Sequence, residues 1–86
     1  MVSEATRTTD ELIARYVGKD PRKPGLDNYW LVDDGIPVWA IIGYWRTAQR
    51  DSEATAEGFS VPIDAVKAAV AFYEQHTAVI DNRIGW

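Results

Sequence analysis

The sequence predicts a mostly helical α+β domain with a minimal β-sheet. Three observations carry that prediction. From Ile63 to Ile84 apolar residues recur at intervals of three and four, the spacing of one helix face. From Val38 to Ala48 the same spacing recurs over a shorter span. Between these helices and the N-terminus the periodicity gives way to prolines, glycines and brief aromatic or branched runs, which suit turns and short strands.

Met1 to Thr9 is polar and expected to fray. Residues 1–11 are therefore assigned to a flexible N-terminal segment and 12–86 to a single domain. In the run ELIARYV after Asp10, Leu12, Ile13, Tyr16 and Val17 fit an amphipathic turn, while Tyr16 and Val17 alone suit a strand. The favoured reading is a short helical turn entering an extended segment. Gly18 to Gly25 reads GKDPRKPG. Two prolines and two glycines exclude regular structure there, and Lys19, Arg22 and Lys23 make it the most basic stretch of the chain. It is either a solvated loop or an arm that touches phosphates. Asn28 to Val32, NYWLV, reads as a strand, and Asp33-Asp34-Gly35 as a turn. Ile36-Pro37-Val38 either pairs back on Tyr29–Val32 or leads straight into a helix.

That helix is predicted over 37–50, with Val38, Ile41, Ile42, Trp45 and Ala48 on its core face. Trp39 falls off this face. Ala40, Gly43, Tyr44 and Thr47 lie on another side. Gly43 costs about 1 kcal/mol relative to Ala, a cost offset where a second backbone comes close. Asp51 and Ser52 end this helix and cap the next, over 52–58. A long final helix follows over 62–83, with Pro62 in its first turn. Ala56, Val61, Val66 and Ala69 have the order of a small residue, an apolar turn residue and two helix positions. This is the packing pattern of a helix-turn-helix.

The long helix carries two apolar seams. One is Ile63, Val66, Val70, Tyr73, Thr77, Ile80 and Ile84; the other is Ala65, Ala69, Phe72, His76 and Val79. Together they exceed the stripe of ~100° that a surface helix needs, and an 86-residue chain offers one core. The surplus calls for a partner, either a second copy or another protein. The favoured expectation is a symmetric homodimer, with Trp39, Gly43, Phe72, Tyr73, His76, Val79 and Ile80 in or beside the interface; the competing one is a monomer that keeps this surface for a toxin. The C-terminal Trp86 is a further candidate anchor.

Composition narrows the function. With no cysteine there is neither a disulfide framework nor a thiolate site. No apolar run reaches the length of a membrane span and no signal peptide is visible, so the expected compartment is the cytosol. The net charge of −4 counts against strong autonomous binding to nucleic acid, whose phosphates attract basic modules. Nothing points to an enzyme, a cofactor or a metal. His76 is the single histidine, and Glu74 and Asp81 do not fall at helical spacing from it. Asp33 and Asp34 are adjacent, a poor acid–base pair. Ser3, Ser52 and Ser60 lie in no nucleophile elbow.

The run YWLVDDGIPVWAIIGYW followed by AEGFSVPIDAVKAAVAFYEQHTAVIDNRI resembles the domain-of-unknown-function family 433. The matching pieces are Gly35-Ile36-Pro37-Val38 opening a helix, a short helix ending near Phe59, Pro62 followed by AVKAAVAFY, and IDNR at Ile80–Arg83. The resemblance spans roughly Leu12 to Arg83. It implies a small helix-turn-helix or winged-helix-like protein acting as an antitoxin: a dimer that binds operator DNA and restrains a PIN-like ribonuclease toxin. Phosphate contacts would fall to Lys19, Arg22, Lys23 and Lys67, with Arg46 and Arg50 beside them. The face that would read bases holds Pro62, Ile63, Asp64, Lys67, Ala68 and Ala71, of which Lys67 alone is basic. A homo-oligomeric protein–protein interaction module without DNA binding is the alternative.

Overall fold

The computed structural model describes residues 8–85. Helix α4 (Ile63–Gln75) lies at the centre, with α1 (Thr9–Tyr16), α2 (Val38–Thr47) and α3 (Ser52–Phe59) packed on it. The sequence of α4 explains that position. Ala65, Ala68, Ala69 and Ala71 bring only a methyl group each, so neighbouring helices approach closely. Val66, Phe72 and Tyr73 fill the space between them, and all seven side chains are buried. A helix apolar on most of its circumference needs cover on most of it.

Helix α1 begins at a capping box. Thr8 Oγ1 accepts the Glu11 N–H at 3.1 Å, and Glu11 Oε1 accepts the Thr8 N–H at 2.9 Å; the pair satisfies two of the donors a helix start leaves open. Of the segment expected to be flexible, 1–7 lies outside the described residues, and 8–11 form this cap and first turn. Leu12 is buried against the core. The helix runs directly into strand β1 (Val17–Gly18), the helix-then-strand order that the sequence favours.

Strands β2 (Trp30–Leu31) and β3 (Ile36–Pro37) complete a three-stranded antiparallel sheet in the order β1-β2-β3. Val17 pairs with Leu31, and Leu31 with Ile36. Gly35 closes the β2–β3 turn with φ +69°, and its N–H donates to the Leu31 carbonyl at 2.7 Å. Both sequence alternatives for Ile36-Pro37-Val38 occur together. Pro37 pairs with Trp30 and also stands at the N-terminus of α2, and the Val38 N–H donates to the Tyr29 carbonyl at 2.9 Å.

Helix α2 buries Val38, Ile41, Ile42 and Trp45, four of the five residues predicted for its core face; Ala48 is half-buried at the end. It stops before the predicted residue 50. Gln49 and Arg50 adopt φ of 59° and 61°, and the Arg50 N–H donates back to the Trp45 carbonyl at 2.7 Å. That six-to-one bond is the Schellman closure. Asp51 caps α3, its Oδ1 accepting the Ala54 N–H at 3.0 Å.

Helix α3 ends in the same way. Ser60 takes φ 58°, and the Val61 N–H reaches the Ala56 carbonyl at 3.0 Å. This closure puts Ala56 and Val61 together at the turn, and both are buried with Val66 and Ala69 in one core.

The final helix is not continuous, which corrects the expectation of one helix over 62–83. It breaks at His76 (φ −137°, ψ 42°), and α5 (Thr77–Ile84) follows in a new direction, packed on α2 and on a 3-10 turn at Leu26–Asn28. Neither Pro nor Gly marks the break. The Tyr73 carbonyl accepts both the His76 N–H and Thr77 Oγ1, each at 3.0 Å, in place of the Thr77 N–H that a continuing helix would bring to it. The reorientation buries Ile80 completely while leaving Thr77 exposed.

Ser60 holds a left-handed conformation that penalises any side chain with a Cβ by roughly 1–2 kcal/mol. Ser60→Gly is expected to raise the urea midpoint, by about 1 kcal/mol of stability. Ser60→Val should lower it by more than that.

Candidate functional site

Two regions gather the polar and charged side chains: the basic loop before β2, and the junction of α2, α4 and α5. At the junction Tyr73 connects all three helices. Its hydroxyl donates to Asp81 Oδ1 at 2.8 Å and accepts from Arg46 Nη1 at 3.1 Å. In a straight helix residues 73 and 81 would stand about 12 Å apart along the axis, and the Tyr73 side chain would lean the other way. The break at His76 is what lets them meet. Burial of the hydroxyl raises the Tyr73 pKa above its ordinary value, and its bond to the Asp81 carboxylate raises it further. The Tyr73 ring packs edge-on against Trp45 at 6.3 Å.

The residues expected to touch phosphate divide between the two regions. Lys19, Arg22 and Lys23 line one concavity of the loop. Lys67 is exposed on the outer side of α4. Arg46 is engaged with Tyr73, and Arg50 lies over the Trp45 ring at 5.6 Å; both serve the core of this fold. The expected base-reading face is narrowed as well. Ala68 and Ala71 are buried, Ile63 and Asp64 are half-buried, and Pro62 and Lys67 alone are exposed.

Three of the seven residues of the expected partner face are buried within the chain. Phe72, Tyr73 and Ile80 are 3%, 7% and 0% exposed. Phe72 stacks on Tyr29 with ring centres 5.0 Å apart and meets His76 at 4.6 Å. The chain covers more of the two seams than the sequence suggests, because α1, the 3-10 turn and the reoriented α5 supply extra cover, while Thr77 and Val79 stay exposed. Val79 is exposed, while His76, Trp39 and Gly43 are half-buried. The Arg83 guanidinium covers Trp39 at 4.8 Å. A Cβ on Gly43 would meet nothing within 4 Å, so among the described residues no backbone uses its smallness. The candidate anchor Trp86 lies outside the described residues.

Among the described residues no three His, Cys, Asp or Glu side chains gather to hold a metal ion, and no helix is long and apolar enough to cross a membrane. Asp20, buried and bound to the basic loop, is absent from the sequence-based candidates, as are Leu26 and Tyr29, which line the same concavity. The Asp-Pro pair at 20 and 21 is a turn signal that could have drawn attention to Asp20. No protein-family model, curated protein or solved structure matches this chain.

Two variants test these assignments. Gly43→Ala should stabilise the isolated chain by about 1 kcal/mol through helix propensity, read as a higher thermal midpoint. Destabilisation that grows with protein concentration would instead mark a helix docked against Gly43 in an assembly. Tyr73→Phe should cost about 1–2 kcal/mol, since it leaves a carboxylate and a guanidinium without their shared partner. With a raised native pKa, the Tyr73 contribution is whole below the unfolded tyrosine value of about 10. It is lost as pH rises through the native value, so the wild type should show an alkaline loss of stability that Tyr73→Phe lacks.

Proposed function

We propose that this chain is the antitoxin of a toxin–antitoxin pair: a dimeric helix-turn-helix-like regulator that binds a PIN-like ribonuclease and its own operator. The observation that carries this reading is the turn between α3 and α4. A Schellman closure at Ser60 joins Val61 to Ala56 there, and both are buried in one core with Val66 and Ala69, which supports a helix-turn-helix-like crossing. The order of motifs that resembles the domain-of-unknown-function family 433 adds to it, with Gly35-Ile36-Pro37-Val38 opening α2 and Pro62 opening α4.

In this reading operator contact is electrostatic. Lys19, Arg22, Lys23 and Lys67 meet phosphates, which position the protein without reading sequence. The net charge of −4 keeps a lone chain weak on DNA, so tight binding requires the dimer or the toxin complex. One observation favours a second reading, the interaction module without DNA binding. Ala68 and Ala71 lie in the core, which withdraws two positions of the second helix from any groove.

Co-expression with the product of the adjacent gene tests the first reading. A ribonuclease that is toxic alone, neutralised by this chain and co-purified with it is the expected result. A salt series of gel shifts on the upstream DNA then separates the two readings. The DNA-binding form predicts a shift that weakens with salt and falls on all sequences when Lys19, Arg22 and Lys23 are replaced by Ala. No shift by the dimer or by the toxin complex leaves the interaction module. Sedimentation of the free chain at micromolar concentration reports the dimer; a single species of monomer mass removes it.

A further inference from the structure

The prolines and glycines of Gly18–Gly25 predict an irregular, solvated loop, yet the segment is held at several points. Asp20 is buried, and its Oδ1 accepts the Arg22 N–H at 2.9 Å. The Lys23 N–H donates to the Asp20 carbonyl at 3.2 Å. Downstream, Asn28 Nδ2 donates to the Pro24 carbonyl at 2.8 Å, and Arg83 of α5 donates to Asn28 Oδ1 at 2.7 Å. Pro21 and Pro24 fix φ between these points. The loop is thus anchored to a helix 55 residues away in sequence.

That shape is concave. The hollow measures ≈ 480 Å³, within the ~300–1,000 Å³ of small-molecule sites. Its walls differ in chemistry. Lys19, Arg22 and Lys23 set three cations against one carboxylate, Asp20, which already faces Arg22 Nε at 3.5 Å. Leu26 and Tyr29 supply an apolar wall. Leu26 is 38% exposed, and the Tyr29 ring is braced from behind by Phe72. Arg22 also lies over the Trp30 ring at 5.5 Å, which holds its guanidinium at the rim beside the two lysines and the exposed leucine. A ligand with a multiply charged anionic end and a flat apolar body would satisfy both walls.

We propose that this hollow binds a small phosphomonoester with an aromatic or apolar body. Its phosphate, at −1.5 to −2 charges near neutral pH, lies against Lys19, Arg22 and Lys23. The Arg22 fork matches phosphate oxygens in plane, and the lysines add point charges. The organic body rests on Leu26 and Tyr29. This inference is independent of the antitoxin reading, because it needs neither a duplex nor a partner protein.

The test is a titration of the isotope-labelled full chain followed by amide NMR, with adenosine 5′-monophosphate as probe. Inorganic phosphate, adenosine and a short DNA duplex serve as the comparison arms. Saturable shifts confined to residues 19–29 are expected with the monophosphate. Inorganic phosphate should bind more weakly and adenosine should cause no shift. Replacing Lys19, Arg22 and Lys23 together by Gln should weaken binding at least about tenfold, or about 1.4 kcal/mol, while resonances of α4 stay in place. If that variant does not fold, Arg22→Gln alone should still weaken the monophosphate several-fold. Absence of saturation, shifts unchanged in the variants, or adenosine binding as well as its phosphate would each overturn the proposal. So would a duplex that moves the loop when the monophosphate does not, since the loop would then be a nucleic-acid arm only.

Discussion

The fold depends on burying α4 on most of its circumference. A helix with four alanines among its seven buried residues gains little from any one neighbour and needs several at short distance. Three helices supply them, and each is placed by a local device that costs the core nothing. A capping box starts α1, Pro37 turns the end of a strand into the start of α2, and Asp51 caps α3. The left-handed residues Gln49, Arg50 and Ser60 then fold the chain back sharply enough for the alanines to be reached.

The same constraint accounts for the break at His76. Turning the chain lays α5 over α2, buries Ile80 and brings Asp81 to Tyr73. The Arg46–Tyr73–Asp81 chain of hydrogen bonds fixes the angle between three helices, because hydrogen bonds are directional where alanine contacts are not. The exposed ion pair of Arg15 with Asp33 at 3.1 Å adds little by comparison, as surface pairs do.

Packing also decides which cations are left for function. Arg46 and Arg50 are drawn to Tyr73 and Trp45, and Arg83 to Asn28 and Trp39. Lys19 and Lys23 are displayed on the basic loop beside Arg22, which pairs with the buried Asp20 carboxylate and lies over the Trp30 ring. An acidic protein thereby presents a local basic surface with fixed geometry. Electrostatic attraction at such a surface acts over about 8 Å at physiological salt, so the remote acidic residues oppose it weakly.

By itself the sequence determined the helical faces, the short strands and the turn between α3 and α4, because these follow from periodicities and turn residues within a few positions of one another. Val38, Ile41, Ile42 and Trp45 are legible as one face, and Ala56, Val61, Val66 and Ala69 as one crossing. The tertiary structure alone decided how much apolar surface the chain could cover. Phe72, Tyr73 and Ile80 read as surplus because the sequence gives no sign that the 3-10 turn at Leu26–Asn28 and a reoriented α5 close over that region. The break at His76 carries no Pro or Gly and is settled by packing and by a threonine bond to a carbonyl one turn back. The hollow of the basic loop was equally illegible, since its shape rests on Asp20 turning inward and on Arg83 reaching Asn28 across 55 residues of sequence. Contacts at that separation leave no local pattern to read.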